Sequence, residues 1–237
     1  MKKAIIIGAT SGIGRELAKI LSLNNYVVGM AGRRTELLSN LQKEIPGSYI
    51  KRIDVAESEE AITLLKELIQ EMGGMDLIVI SSGVGFINPE LDWKQEKETI
   101  DVNISGFATI ANAAFKYFSN QGLGHIVGIS SIAAIRGSGE APAYNASKAF
   151  VSNYLEGLRQ KASKSGIAII VTEIQPGFVN TAMAKGEGLF WVSPPEKAAR
   201  QIFKAINNKK KHAYITKRWR IIAWLLKVIP DWIYNKL

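Results

Sequence analysis

Short apolar runs alternate along this chain with longer segments in which apolar positions recur every three or four residues. Lys3 to Ile7 is the first short run, and it leads into a segment that places Ile13, Leu17, Ile20 and Leu21 on one helical face. Tyr26 to Met30, Ser48 to Ile53, Asp76 to Ile80, His125 to Ile129 and Ile167 to Ile174 repeat the strand pattern, and His212 to Ile215 is a last candidate. Helical patterns fall between them, over Thr35 to Glu44, over Ser58 to Met72 before Gly73-Gly74, and in a region that holds Asp101 to Gly106 and continues through Phe107 to Phe118. Another helix starts at Tyr144, and Ser193-Pro194-Pro195-Glu196 predicts one more, with Ser193 as its cap and Glu196 as the reciprocal cap. Strands that are apolar throughout, without alternation, are buried on both faces. The expected fold is therefore α/β, a parallel sheet covered by helices on both sides.

Composition adds compartment and charge. The 237 residues, 47% hydrophobic and 22% charged, suit a globular domain. Cysteine is absent and histidine occurs only at positions 125 and 212, which disfavours a thiolate or histidine metal site. Met1-Lys2-Lys3 runs straight into the first strand without the apolar region and cleavage site of a signal peptide, so a cytoplasmic protein is expected. The net charge of +9 is unevenly placed: residues 1–196 hold 19 Lys/Arg against 20 Asp/Glu, whereas residues 197–237 hold 11 against 1. Such an asymmetry suggests that the tail meets an anionic surface.

Candidate chemistry sits at the ends of strands. Gly8-Ala9-Thr10-Ser11-Gly12-Ile13-Gly14 joins the first strand to its helix, where glycines allow a tight turn and the free N–H groups of a helix start attract phosphate. Its G-x-x-x-G-x-G spacing differs from the G-x-G-x-x-G fingerprint, and a merely tight connection is the alternative. Arg33 and Arg34 follow the second strand, where a dinucleotide fold meets the adenosine ribose. Their fork-shaped donors fit a 2′-phosphate and so point to NADP, and the alternative is a pair of solvated arginines. Tyr144 and Lys148 lie four apart on one helical face, so that an ammonium can draw the phenol's pKa of about 10 toward neutrality. Asn103 either bonds to a neighbouring strand or interrupts its helix to place an amide in the site, and the Ser131 hydroxyl can face the tyrosine.

Taken jointly, Gly8-x-x-x-Gly12-x-Gly14, Asn103, Ser131, Tyr144-x-x-x-Lys148 and Pro176-Gly177 resemble the short-chain dehydrogenase/reductase family over residues 1–215. The resemblance implies a Rossmann-like, doubly wound fold with a seven-stranded, mostly parallel sheet, and hydride transfer between a nicotinamide cofactor and a carbonyl or alcohol. It implies that Ser131 bonds the substrate oxygen, that Tyr144 is the general acid or base, and that Lys148 holds the nicotinamide ribose and lowers the tyrosine pKa. Asn103 would hold a relay water, Asp54 and Val55 would meet the adenine, and Val179 and Thr181 would hold the carboxamide. One departure stands out. Where the family usually has Asn-Asn-Ala-Gly, this chain has Ile80-Ser81-Ser82-Gly83, so Gly83 keeps the backbone approach while asparagine bonds must be replaced by serines or lost.

The expected activity is NADP-dependent reduction of a hydrophobic carbonyl compound, because Val84, Phe86, Ile87, Ile132, Met183, Phe190 and Trp191 follow strand ends or sit in a lid over Phe178 to Val192. Arg136 and Lys185 leave a 3-oxoacyl-thioester reductase as an alternative, and a sensor that binds NADP without turnover is a third reading. Family members commonly pair through the helices holding Phe107 to Phe118 and Ala149 to Leu158, which implies a homodimer or homotetramer. The expected division is a catalytic domain over 1–215 and a basic amphipathic tail over 216–237. The unbroken apolar run of that tail, Ile221 to Leu226, is too short to span a bilayer, and the tail suits peripheral contact with an anionic membrane at its inner face better than nucleic acid; packing over the chain's own cleft is the competing reading.

Overall fold

The computed structural model describes residues 1–181 and 190–236. Its strands are β1 (Lys2–Ile7), β2 (Tyr26–Gly32), β3 (Tyr49–Arg52), β4 (Leu77–Ile80), β5 (Leu123–Ile129), β6 (Ala168–Pro176) and β7 (His212–Ile215). They form one sheet in the order β3-β2-β1-β4-β5-β6-β7, with every neighbouring pair parallel. The expected α/β, Rossmann-like, doubly wound architecture is what the chain adopts. The order reverses between β1 and β4, and an open α/β sheet binds ligands beside such a reversal, at the carboxyl ends of its strands.

Helices cover both faces because the central strands are apolar on both. One layer contains α1 (Gly12–Leu23), α2 (Thr35–Glu44) and α7 (Pro195–Asn207), whose Leu17, Leu21, Leu38 and Ile202 pack on Ile6, Met30 and Val79. The other contains α3 (Ser58–Glu71), α5 (Phe107–Gln121) and α6 (Pro142–Ser165), with Leu65, Phe107, Phe118 and Leu155 against Ile5, Ile78 and Ile126. Burial of each such aliphatic or aromatic side chain stabilises the fold by roughly 1.5–3 kcal/mol.

Two local expectations need correction. The helical region through Asn103 is not one helix: α4 (Trp93–Ile100) passes into a π-helical turn over Asp101–Gly106 before α5 begins. Such turns arise where a side chain has a stronger use than the regular ladder, and Asn103 has one. Ser193 does not cap α7; its hydroxyl donates to the Pro194 carbonyl at 3.3 Å, and no side chain caps that helix. β6 ends at Pro176, which pairs in register with Ile215, a place where a missing N–H is tolerated.

The C-terminal segment packs on the domain. α8 (Trp219–Val228) and the short α9 (Asp231–Tyr234) cover the loops beyond β5 and β6, with Trp219 and Ala223 buried among Ile132, Ile135, Phe178 and Tyr214. The Trp219 ring makes edge contacts with Phe178 and Trp191 and stacks on Phe190. Gly177 is required at this junction, since a Cβ there would overlap the indole. Polar contacts fasten the far end: Arg136 pairs with Asp231 at 2.6 Å and lies over the Tyr234 ring, and the Tyr234 hydroxyl donates to the Gly137 carbonyl.

Candidate active site

A cavity of about 820 Å³ opens at the carboxyl ends of the strands, between the turn after β1 and the loops after β4, β5 and β6. At the end beside β1, Gly8 and Gly12 take φ of 92° and 57°, a region that side-chain-bearing residues rarely occupy. Gly14 does not line the cavity; a Cβ there would overlap the Gly8 carbonyl, so this glycine lets α1 start directly against the turn. Ser11 stands at the N-cap of α1 without capping it, and the first turn carries no acidic residue. The N–H groups of that turn therefore have no side-chain partner from the cap and face a site suited to an anion.

Arg34 reaches across from the end of β2 to donate to Thr10 Oγ1 at 2.6 Å and Ser11 Oγ at 2.8 Å. This places a guanidinium beside the glycine turn. Arg33 is exposed, and Glu98 of α4 approaches it at 3.8 Å, an acid that sequence position alone did not reveal. Asp54 turns its carboxylate back onto the Ala56 N–H at 3.1 Å, and both Asp54 and Val55 line the cavity. A phosphate-bearing dinucleotide thus fits the donors present: unengaged helix N–H groups, two hydroxyls and two arginines.

At the other end Ser131, Tyr144 and Lys148 line the same cavity, together with Gly83, Pro176, Gly177, Val179 and Thr181. Ser131 begins a short turn of helix over Ile132–Ile135, and its Oγ accepts from the Ala133 N–H. α6 then carries Tyr144 and Lys148 on one face. Burial pushes the Tyr144 phenol above 10, and hydrogen bonding from Ser131 opposes this only in part. The net direction for Tyr144 is therefore upward, set by burial. Lys148 Nζ lies 5.6 Å from the ring centroid and donates to the Ile129 carbonyl at 3.3 Å, while burial lowers its own pKa to about 8.

Asn103 is buried outside the cavity wall. Its amide donates to the Val84 carbonyl at 2.8 Å and Ser147 Oγ at 3.0 Å, and its oxygen accepts from the Val84 N–H at 2.8 Å. Both amide hydrogens are committed, and the side chain ties the loop after β4 to α6. Of the two readings of this residue, the bonding one describes its contacts, with a loop as partner. In the loop after β4, Ser82 Oγ is buried without a hydrogen-bond partner among the described residues. Trp219 and Phe178 pack together behind the site, the contact that the competing reading of the tail, packing over the chain's own cleft, requires. Met183, Lys185 and Leu189, expected in the lid, lie outside the described residues. No group of three potential metal ligands occurs among the described residues.

Comparison with known proteins agrees with this arrangement. Residues 2–189 match the family described as short chain dehydrogenase. An uncharacterized oxidoreductase of Myxococcus xanthus is 35% identical over 188 residues, 77% of this chain and 74% of the relative. Among solved structures, a short chain dehydrogenase/reductase from Burkholderia phymatum in complex with NAD superposes with a TM-score of 0.84 at 20% identity, over 94% of this chain and 92% of that one. ElxO with NADP bound gives 0.77 at 22%, over 90% and 96%. With the sequence pattern, the fold and the placement of serine, tyrosine and lysine in one cleft all in agreement, this chain belongs to the short-chain dehydrogenase family of oxidoreductases.

Proposed function

We propose that the protein reduces a hydrophobic carbonyl compound with NADPH. The observation that carries this reading is one cavity lined by Ser131, Tyr144 and Lys148 on its polar side and by Phe86, Ile87, Ile132 and Phe178 on its apolar side. When bound, the nicotinamide cofactor supplies the hydride. Ser131 holds the carbonyl oxygen by donating a hydrogen bond, and the Tyr144 phenol gives its proton to that oxygen as negative charge develops. A phenol raised above 10 is protonated at neutral pH, the form required of an acid in reduction. Lys148 holds the ribose and a positive charge beside the resulting phenolate, and Asn103 acts by keeping α6 and the loop after β4 in register.

Substrate acidity is not favoured by the one described arginine that could read it: Arg136 is committed to Asp231 and Tyr234, which weighs against an acyl-thioester substrate bound through that residue. Purified protein should shift NADPH fluorescence, and Tyr144→Phe should keep that binding while turnover of test ketones falls about 10²- to 10⁴-fold, the usual contribution of a positioned acid. Equal turnover by the variant would refute the mechanism.

The NADPH preference rests on Arg34 over the glycine turn and on Arg33 beside it. Even one charge-assisted bond contributes roughly 1.5 kcal/mol, so NADPH should bind at least about tenfold more tightly than NADH. Arg33→Ala with Arg34→Ala should remove most of that difference. Equal affinities of the two cofactors for the native protein, measured by titration, would reassign the cofactor.

A further inference from the structure

α8 is apolar on two faces and buried on only one. At 3.6 residues per turn, Trp219, Ile222, Ala223 and Leu226 share the face that packs on the domain. Ile221, Trp224, Leu225 and Val228 form the opposite face, 46–63% exposed, and Trp232 of α9 is 67% exposed as well. Arg220 and Lys227 line one flank between the faces, both exposed. The solvent side of a surface helix is ordinarily polar, and a contiguous exposed apolar patch marks an interaction surface. Nothing among the described residues covers this one.

Charge selects the occupant. From Lys217 on, the tail carries Lys217, Arg218, Arg220, Lys227 and Lys236 against a single acid, Asp231, which is already paired with Arg136. A second copy would bring the same excess of positive charge against itself. An anionic bilayer complements it, and tryptophan with lysine or arginine around an apolar face is the residue combination that settles at a membrane interface. No described helix is long and apolar enough to cross a membrane, so the helix would lie along the surface. The segment is already held in place by Trp219, by Tyr234 on Gly137 and by Arg218 on the Trp191 carbonyl, and docking requires little further ordering.

We propose that the outer face of α8 and α9 docks on an anionic lipid bilayer. Because the inner face of the same helix packs on Ile132 and Phe178, the apolar side of the cleft then lies next to the membrane. The proposal does not depend on the reductase reading.

Sedimentation of the full-length protein with vesicles of phosphatidylcholine and phosphatidylglycerol tests it. The protein should pellet with these at low salt, remain in solution with phosphatidylcholine alone, and show a blue shift of tryptophan fluorescence on binding. Arg220→Gln with Lys227→Gln should lower partitioning about fivefold per charge removed, and Trp224→Ser with Val228→Ser should abolish it, with the unfolding temperature unchanged in both. Protein that ignores anionic vesicles at low salt overturns the proposal. So does a native dimer that Trp224→Ser with Val228→Ser converts to monomers, since a second copy is then the occupant.

Discussion

At Lys148 the protein holds an ammonium where burial disfavours charge. Its folded pKa of about 8 lies below the ordinary 10.5, so between these values the unfolded chain binds a proton that the folded chain does not, and stability rises with pH across that window. Below pH 8 the cost of the buried charge is at its full value. Lys148→Met should therefore stabilise the protein without bound cofactor at pH 7, by about 3 kcal/mol, while abolishing reduction. The gap between variant and native protein should close as pH approaches 10.5. Thermal unfolding of both proteins across pH 7 to 10.5 measures this, and a variant that is less stable at pH 7 would show that the lysine contributes packing or hydrogen bonds outweighing its desolvation. The sequence placed Tyr144 and Lys148 on one face through their spacing. It could not give the direction of their pKa shifts, because burial depends on β5 and on the loops that close over α6.

Among elements, the π-helical turn and α8 carry the lesson. A helix interrupted at Asn103 was foreseeable from an asparagine and a glycine in an apolar stretch, but its partners, Val84 and Ser147, come from two other parts of the chain. α8 was legible as an amphipathic segment, yet its docking depends on a space that only Gly177, Ile132 and Phe178 together create. Trp219→Ala should cost about 3–5 kcal/mol, the range for truncating a buried aromatic side chain, and Trp219→Phe substantially less. Denaturant titration checks this. A loss below about 1 kcal/mol would mean that α8 is only loosely attached.

For the whole molecule, self-association is the property the single chain leaves to be tested. α6 exposes Ala146, Ala149 and Gly157, and a Cβ at Gly157 would meet nothing within 4 Å, so another helix can approach closely there. A dimer or tetramer built on α5 and α6 is the expected state at micromolar concentration, and Gly157→Glu should shift it toward monomer without unfolding the chain. A monomeric native protein in sedimentation equilibrium would remove this expectation.

Periodicity by itself determined the alternation of strands and helices, because a strand apolar on both faces has to be covered on both. The glycines at positions 8 and 12 likewise marked the turn after β1, since side-chain-bearing residues rarely take the positive φ found there. Spacing put Tyr144 and Lys148 together, four residues being one turn of helix. Other contacts were decided only by tertiary structure: Glu98 beside Arg33, Arg34 over Thr10 and Ser11, Asp231 against Arg136, and the indole of Trp219 behind Gly177. The physical reason is the same in each case. These contacts join residues tens of positions apart, and whether a charge is paired or a ring is buried depends on what the rest of the chain brings against it.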